Sequence, residues 1–259
     1  MLRVIIIAQQ DRFFIPANIK KVIDIANVVL VINNNYKSSL ENKKADFLRW
    51  FGPFQAGKMA IKQTSCIVKG FLDEITGYRL FCGKYGIEHV ARANSIDYMT
   101  CNNINDPTLV NKILHLEPDL IISFSAPQVI KEPLLSIPRL GIINVHGSYL
   151  PDYRGCFPSF WQLLRGEKYA GATVHVMSEK IDDGRIVVQD KVSISDCKTI
   201  FEVIARTKAL GGDLVVRAIA KIQSGDLSTV ANDTSQGCYY TWPKKDDTKR
   251  FHKKGLRLV

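Results

Sequence analysis

The chain has 259 residues, 46% of them apolar, and a formal net charge of +10, which suits one large α/β domain or such a domain with a short appendage. No apolar run approaches the roughly 20 residues that a membrane-spanning helix needs. The six cysteines are scattered without a C-x-x-C pair, which excludes a disulfide framework and a structural zinc motif and predicts a cytoplasmic protein with reduced thiols.

Two apolar runs flank a helical pattern at the start of the chain. Residues 2–7 and 27–32 are nearly continuous apolar segments, as expected of parallel strands that are covered on both faces. Between them, residues 15–25 space their apolar side chains at helical intervals. This β-α-β opening predicts a doubly wound, mostly parallel sheet of the α/β class. No G-x-G-x-x-G motif follows the first strand, which argues against a nicotinamide-dependent enzyme.

The rest of the chain continues the alternation of helices and strands. The predicted strands cover residues 87–91, 119–124, 141–145, 172–177 and 185–192, with a polar connector through 102–103. The predicted helices cover residues 107–116, 159–164 and 198–223, and residues 46–80 are expected to be helical or mixed. Gly211 and Gly212 cost about 1 kcal/mol each inside the last helix, so they could bend or break it. We divide the chain into a core over residues 1–195 and a long helix with a C-terminal extension over residues 196–259.

Reactive side chains cluster after the strand predicted at residues 141–145. Asn144 and His146 are two residues apart, so their side chains point the same way at the carboxyl edge, where parallel sheets bind ligands. A carboxamide and an imidazole can together hydrogen-bond one carbonyl oxygen and stabilise the negative charge that develops when a nucleophile attacks it. Further on, Asp182 and Asp183 lie in a loop, and a carboxylate near His146 would raise the proton affinity of its imidazole. Taken singly, such a histidine is more often structural and an Asp-Asp-Gly sequence is more often a turn.

Taken together, these motifs resemble those of a known enzyme family. Residues 119–192 resemble the folate-dependent formyltransferase family, which includes methionyl-tRNA formyltransferases, glycinamide ribonucleotide transformylases and sugar N-formyltransferases. The family signature has Asn-x-His, a Ser-Leu-Leu-Pro-like turn, Tyr-Arg-Gly and a later Asp-x-Gly. Here these motifs correspond to Asn144, His146, residues 148–151, residues 153–155 and residues 182–184. The sequence departs from the signature at Tyr149, where Leu is usual, and at residues 156–158.

The resemblance implies a Rossmann-like core that transfers a formyl group from N10-formyltetrahydrofolate to an amine, without a metal. Asn144 and His146 would stabilise the oxyanion. Asp182, which matches the signature better than Asp183, would orient His146 or a water and help to move a proton from the amine to the departing folate nitrogen. His175 also resembles a family position, but we interpret it as structural. The pterin pocket would include Phe124, Ser125, Ala126, Pro127, Ser148, Tyr149, Leu150, Pro151, Lys180 and Ile181.

The layout of the chain narrows the choice of the substrate whose amine accepts the formyl group. Methionyl-tRNA formyltransferases usually carry a further RNA-binding domain, for which the 36 residues after residue 223 leave too little room. Glycinamide ribonucleotide transformylases are generally shorter, and residues 8–11 contain no glycine for a phosphate loop. Sugar N-formyltransferases commonly pair the core with a small extension. We therefore expect an acceptor of the nucleotide-linked 4-amino-4,6-dideoxyhexose type, used in O-antigen or lipopolysaccharide biosynthesis.

The expected acceptor site includes the end of the signature and the tail. Its predicted residues are Tyr153, Arg154, Gly155, Tyr240, Trp242, Lys244 and Lys245. Aromatic side chains can stack on a nucleotide base while the lysines meet a diphosphate; the alternative is a tail that simply packs against the core. A methionyl-tRNA formyltransferase-like enzyme and a non-catalytic folate or nucleotide binder remain open. We expect no membrane or nucleic-acid partner, since the core lacks an RNP-like aromatic stripe, and the resemblance implies a homodimer.

Overall fold

The computed structural model describes residues 1–36 and 43–259. The strands are β1 (Arg3–Ala8), β2 (Asn27–Asn34), β3 (Asp97–Cys101), β4 (Leu120–Phe124), β5 (Ile142–His146), β6 (Arg154–Gly155), β7 (Tyr169–Val176), β8 (Ile186–Ser193) and β9 (Tyr239–Tyr240). The helices are α1 (Ile15–Ile23), α2 (Lys43–Ile75), α3 (Ile87–Ala93), α4 (Pro107–His115), α5 (Pro158–Arg165), α6 (Ile200–Gln223) and α7 (Lys245–Lys253). No helix within the described ranges is long and apolar enough to cross a membrane.

A seven-stranded sheet lies at the centre of the described chain, in the spatial order β3-β2-β1-β4-β5-β7-β8. The first five of these strands pair in parallel, whereas β7 and β8 pair antiparallel. Residues 4–8 of β1 are all apolar because alternate side chains enter separate cores: Val4 and Ile6 pack on one face of the sheet, and Ile5 and Ile7 on the other. The predicted doubly wound α/β fold is therefore confirmed.

Helix α6 runs without interruption across the two glycines that could have broken it. It begins at a capping box in which Thr199 and Glu202 each satisfy the other's backbone N–H. A Cβ on Gly211 would lie 2.8 Å from Val145 Cγ1, and one on Gly212 would lie 2.1 Å from Asn18 Oδ1. The glycines therefore allow α6 to lie close against β5 and α1. Helix α6 packs onto the sheet core. The division of the chain at residue 195 stays a prediction.

Two predicted elements are wrong. Residues 87–91, expected to be a strand, belong to helix α3, in which Ile87, Val90 and Ala91 face the core at helical spacing. An apolar run of this length does not distinguish a strand from a buried helix. Residues 97–101, expected to be connector, form strand β3 at the edge of the sheet, where half-exposed side chains leave a weak apolar pattern.

A second core joins the end of the chain to the carboxyl side of the sheet. Phe160 of α5 stacks on Phe251 of α7, with ring centroids 4.8 Å apart, and Phe51 of α2 contacts the same ring. The short strand β9 pairs in parallel with β6, so Tyr240 lies opposite Gly155. This core holds the C-terminal segment beside the end of β5, where the reactive residues lie.

Candidate active site

Asn144 and His146 lie on the last residues of β5, between β4 and β7. In the antiparallel pairing of β5 with β7, Asn144 is opposite His175, and Asn144 Nδ2 lies 3.2 Å from His175 Nε2. The other ring nitrogen of His175, Nδ1, is 3.0 Å from the carbonyl oxygen of Val176. The imidazole of His175 is thus fixed at both nitrogens and holds the carboxamide of Asn144 in place.

Asp182 joins these residues from the loop between β7 and β8. Its Oδ2 lies 3.4 Å from His146 Nδ1, and its Oδ1 lies 3.7 Å from His175 Nε2. The backbone N–H of Gly155 also donates to Asp182 Oδ2 at 2.8 Å. The side chains of His146 and Asp182 are each only 9% exposed, so their interaction is little screened by water. Carboxamide, imidazole and carboxylate therefore converge as the signature predicted.

The pKa of the Asp182 carboxyl is set by opposing effects. Burial raises its pKa, but the neighbouring His146, the hydrogen bonds from His175 and Gly155, and the charge of His175 together outweigh burial and hold the pKa well below the ordinary value of 3.8. The group is therefore a carboxylate at any physiological pH. It can attract a proton on His146 but cannot itself act as the acid.

The turn that carries Asp182 has a strict backbone geometry. Asp182 has a φ of 50°, a left-handed conformation that Asp tolerates better than most residues. A Cβ on Gly184 would lie 1.7 Å from the carbonyl oxygen of Val176, so any other residue there would displace the loop. The Asp-x-Gly spacing therefore has a structural cause: glycine lets the loop approach β7 closely enough for Asp182 to reach both histidines.

Both nitrogens of His146 face oxygen atoms. Nδ1 faces Asp182, and Nε2 lies 2.9 Å from the carbonyl oxygen of Tyr153. The doubly protonated ring can donate to both oxygens. His146 can thus donate to an oxyanion in the cleft only by sharing or exchanging its hydrogen bond with Tyr153, whereas its link to Asp182 is already suited to proton transfer.

A cleft of about 530 Å³ opens above these residues, a volume in the usual range for a small-molecule site. Asn144, His146, His175 and Asp182 all line it. Its walls include Phe157 after the signature turn and two aromatic residues of the C-terminal segment, Tyr239 and Trp242. The second core therefore contributes directly to the site.

The lining of the cleft fits the pterin of the expected folate donor. Ala126, Pro127 and Ile181 supply apolar surface for a flat ring. Ser123 Oγ is buried at the cleft and has no hydrogen-bond partner among the described residues. A buried hydroxyl of this kind needs a partner, and a heterocycle with a polar edge supplies one.

Five of the predicted pterin residues line the cleft: Ser125, Ala126, Pro127, Lys180 and Ile181. The other five are not among its lining residues in the described chain: Phe124, Ser148, Tyr149, Leu150 and Pro151. Phe124 and Leu150 are buried in the protein interior, and Ser148 Oγ donates to the carbonyl oxygen of Asp152 at 2.6 Å. The aromatic ring of Tyr149 instead lies under Lys191 Nζ, 4.4 Å from it. The turn at 148–151 thus lies outside the lining of the cleft.

Only some of the residues predicted to bind the acceptor line the cleft. Gly155 and Trp242 line the cleft, whereas the others do not within the described chain: Tyr153, Arg154, Tyr240, Lys244 and Lys245. Tyr153 stacks on Tyr240 with ring centroids 5.5 Å apart, and Arg154 donates to the carbonyl oxygen of Thr234 at 3.3 Å. These residues attach the C-terminal segment to the signature turn. Lys244 and Lys245 lie at the start of α7.

Sequence reasoning missed several cleft residues. His175, interpreted as structural, contacts both Asn144 and Asp182, and only the pairing of β5 with β7 reveals this. Lys208 of α6 lines the cleft and donates to Ser125 Oγ; burial lowers its pKa, and Asp11 opposes the shift. Asp11 also lines the cleft and accepts the backbone N–H groups of residues 13–15 at the start of α1.

Known proteins resemble this chain in sequence and in fold. A sequence profile of the formyl transferase family, described as "Formyl transferase", matches residues 14–219. A methionyl-tRNA formyltransferase of Clostridium novyi is 34% identical over 154 residues, which are 59% of this chain and 50% of that protein. The chain thus spans about half the length of this curated relative.

Two solved structures share the fold. The glycinamide ribonucleotide transformylase 1 of Symbiobacterium toebii has a TM-score of 0.62 at 19% identity and covers 90% of this chain and 95% of its own. A sugar N-formyltransferase of a Shewanella species has a TM-score of 0.58 at 17% identity and covers 97% of this chain and 88% of its own. Since the family match extends over most of the chain and includes Asn144, His146, His175 and Asp182 of the cleft, the chain belongs to the formyl transferase family, which uses N10-formyltetrahydrofolate.

Proposed function

We propose that this chain transfers the formyl group of N10-formyltetrahydrofolate to the amine of a nucleotide-linked amino sugar of the 4-amino-4,6-dideoxyhexose type. The observation that carries the proposal is the joint placement of two groups of residues in one cleft. Asn144, His146 and Asp182 lie on its floor, and Tyr239 and Trp242 form part of its wall. The reactive groups and an aromatic surface for a nucleotide base thus face the same space.

The reacting groups have distinct roles in this proposal. The donor supplies a formyl carbon; the neutral acceptor amine forms a bond to this carbon as the bond from the carbon to N10 breaks. Asn144, oriented by His175, donates its N–H to the oxyanion that develops on the formyl oxygen. His146, whose protonated ring is stabilised by the Asp182 carboxylate, carries the proton from the acceptor nitrogen to N10, directly or through a water.

The aromatic wall supports a nucleotide acceptor. Trp242 stacks on Trp50, with centroids 6.0 Å apart and ring planes 19° apart, and it also contacts Phe157. A ring held by two neighbours is already ordered, so its contact with a ligand costs little side-chain entropy. Lys244 and Lys245 follow Trp242 closely in the chain and are the residues that we expect to meet the diphosphate.

The start of α1 favours this acceptor over a phosphoribosyl amine. A helix N-terminus normally offers free backbone N–H groups to a phosphate. Here Asp11 Oδ1 accepts the N–H groups of residues 13, 14 and 15, at 2.6 to 2.9 Å. A negative carboxylate already occupies this position, so a phosphate would be repelled from it.

A methionyl-tRNA formyltransferase-like activity is the second candidate, because curated relatives at about one-third identity carry that name. The test is to supply the purified protein with N10-formyltetrahydrofolate and, separately, several nucleotide-linked amino sugars or charged initiator tRNA. Formylation of a sugar nucleotide is the expected result. Formylation of tRNA alone would refute the sugar assignment.

The variant His146→Asn distinguishes an enzyme from a non-catalytic protein that binds folate or a nucleotide. This change should abolish most turnover in an enzyme while leaving ligand binding almost intact. If the wild-type protein binds both ligands but transfers no formyl group, the enzymatic proposal fails. As part of the same proposal, we place the reaction in the cytoplasm, in O-antigen or lipopolysaccharide synthesis, with a homodimer as the working assembly.

A further inference from the structure

Helix α2 presents an apolar face to solvent. The helix is kinked at Gly52, whose φ is 75°, and beyond the kink its outward side chains are 44% to 73% exposed. We call these residues the α2 stripe: Phe54, Ile61, Ile67, Val68, Phe71, Leu72 and Ile75. A surface helix of a globular protein normally turns such residues toward the core.

On the face of α2 that turns toward the body of the protein, two polar side chains are buried beside Phe51 and Cys66 and are hydrogen-bonded there. Gln55 Oε1 accepts the backbone N–H of Val259 at 3.2 Å. The buried carboxylate of Asp73 accepts the backbone N–H groups of Phe81 and Gly83, both at 2.7 Å. Rotating the helix to bury the stripe would leave these polar groups unpaired, at a cost of about 1–3 kcal/mol each. The exposure of the stripe therefore follows from the way in which α2 is anchored.

We propose that the α2 stripe is the surface through which two copies of this chain associate. Phe54, Ile61, Val68 and Ile75 recur at every seventh residue, the spacing of a seam between two paired helices. Small residues lie between them, including Gly57, where a Cβ would meet nothing within 4 Å. The gaps between large side chains can accept the corresponding side chains of the second copy.

The exposed area agrees with a dimer interface. The seven side chains of the stripe expose on the order of 700 Å², near the roughly 800 Å² per partner that a specific interface buries. The largest apolar patch on a monomeric protein is about 300–600 Å². A two-fold pairing would thus bury an area that a single chain leaves exposed to water.

The lysines of α2 favour a second copy over an anionic membrane. A membrane-surface helix flanks its apolar face with outward Lys and Arg side chains. Here Lys62 Nζ lies 4.8 Å from the ring centroid of Phe201, and Lys69 Nζ lies 5.3 Å from that of Tyr85, so both turn toward the body. Lys58 Nζ covers the ring of Phe54 at 4.6 Å.

Sedimentation velocity between about 1 and 100 µM tests this proposal. The wild-type protein should dimerise, and Ile61→Glu and Val68→Glu should each weaken the dimer by about 10-fold or more. Gln63→Glu is the matched control, because it adds the same charge at an exposed position of α2 outside the stripe. It should leave the dimer unchanged. Circular dichroism of each variant establishes that it is folded.

Three results would overturn the proposal. One is a wild-type protein that stays monomeric over the whole concentration range. Another is a folded Ile61→Glu or Val68→Glu variant that dimerises as tightly as the wild type. The third is a monomer that binds phosphatidylglycerol vesicles and loses this binding on Ile61→Glu, which would assign the stripe to a membrane surface. None of these depends on formyl transfer, so the proposal and the assignment of the reaction can fail separately.

Discussion

At the scale of single residues, the site depends on side chains that are held from several directions. Asp182 contacts His146, His175 and the backbone of Gly155, and Asn144 is held by His175. Groups that are oriented before the substrate arrives need no reorganisation during the reaction, which is how a polar site lowers an activation barrier. Changes to these residues should therefore affect turnover more than binding.

Asn144→Ala and His146→Ala should each reduce kcat by about 10²-fold or more, because the first removes an oxyanion donor and the second removes the group that carries the proton. The affinity for the folate should change much less, because the pterin walls stay intact. Steady-state kinetics with a binding titration gives both quantities. Asp183→Asn is the control, since Asp183 does not line the cleft in the described chain, and it should keep near-normal turnover. Near-normal turnover in both alanine variants would refute the assigned roles.

Asp182 should also make stability depend on pH. Its pKa in the folded protein is held below the ordinary 3.8, so the unfolded chain takes up a proton first as the pH falls. The carboxylate therefore stabilises the fold above about pH 4 and loses this effect as the pH falls further. Urea unfolding of the wild type and of Asp182→Asn at pH 7, 5 and 3 measures the contribution of this carboxylate to the free energy of unfolding. The difference in unfolding free energy should be present at pH 7 and 5 and shrink at pH 3; a difference that grows on this last step would contradict the assignment.

At the scale of elements, close packing explains residues that look unfavourable in the sequence. Gly211 and Gly212 weaken a helix by propensity, yet α6 is continuous because these residues let it approach β5 and α1. Conversely, α3 reads as a strand in the sequence because its few apolar residues fit both periods. Contact with the rest of the fold decides between these alternatives.

Gly212→Ala should destabilise the protein by about 1–3 kcal/mol, the usual cost of overpacking, because the new Cβ would lie 2.1 Å from Asn18 Oδ1. Gly57→Ala in α2 is the matched control, since a Cβ there meets nothing within 4 Å. It should stabilise the helix by about 0.5–1 kcal/mol. Thermal unfolding of both variants measures the two effects, and equal effects at both positions would refute the packing argument.

At the scale of the whole molecule, the C-terminal segment completes the cleft. Residues of α2, α5 and α7 form one aromatic core, and this core places Trp242 at the wall of the site. The segment therefore packs as part of the same unit as the cleft. Its removal should disturb both the second core and the proposed binding of the acceptor.

Trp242→Ala should raise the KM for the nucleotide-linked sugar by about 10-fold, the effect expected from losing one stacked base. The KM for the folate should change less. Tyr169→Ala, at an exposed tyrosine outside the cleft lining of the described chain, provides the control and should alter neither value. A larger effect of Trp242→Ala on the folate than on the sugar nucleotide would remove the tail from the acceptor site.

The sequence by itself determined the mostly parallel sheet and the shared orientation of Asn144 and His146. Continuous apolar runs define buried strands such as β1 and β4, and the Asn-x-His spacing places Asn144 and His146 on the same side of β5. These features are local, because a strand's period and burial are written in consecutive residues. The family resemblance added Asp182 through its Asp-x-Gly motif.

Only the tertiary structure decided which residues surround the site. His175 faces Asn144 through strand pairing, Lys208 reaches the cleft from α6, and Trp242 is placed there by the second core. Residues 148–151, which the sequence predicted to contact the pterin, do not line the cleft in the described chain. Such contacts join positions far apart in the chain, so they depend on how elements pack and leave no periodic pattern in the sequence.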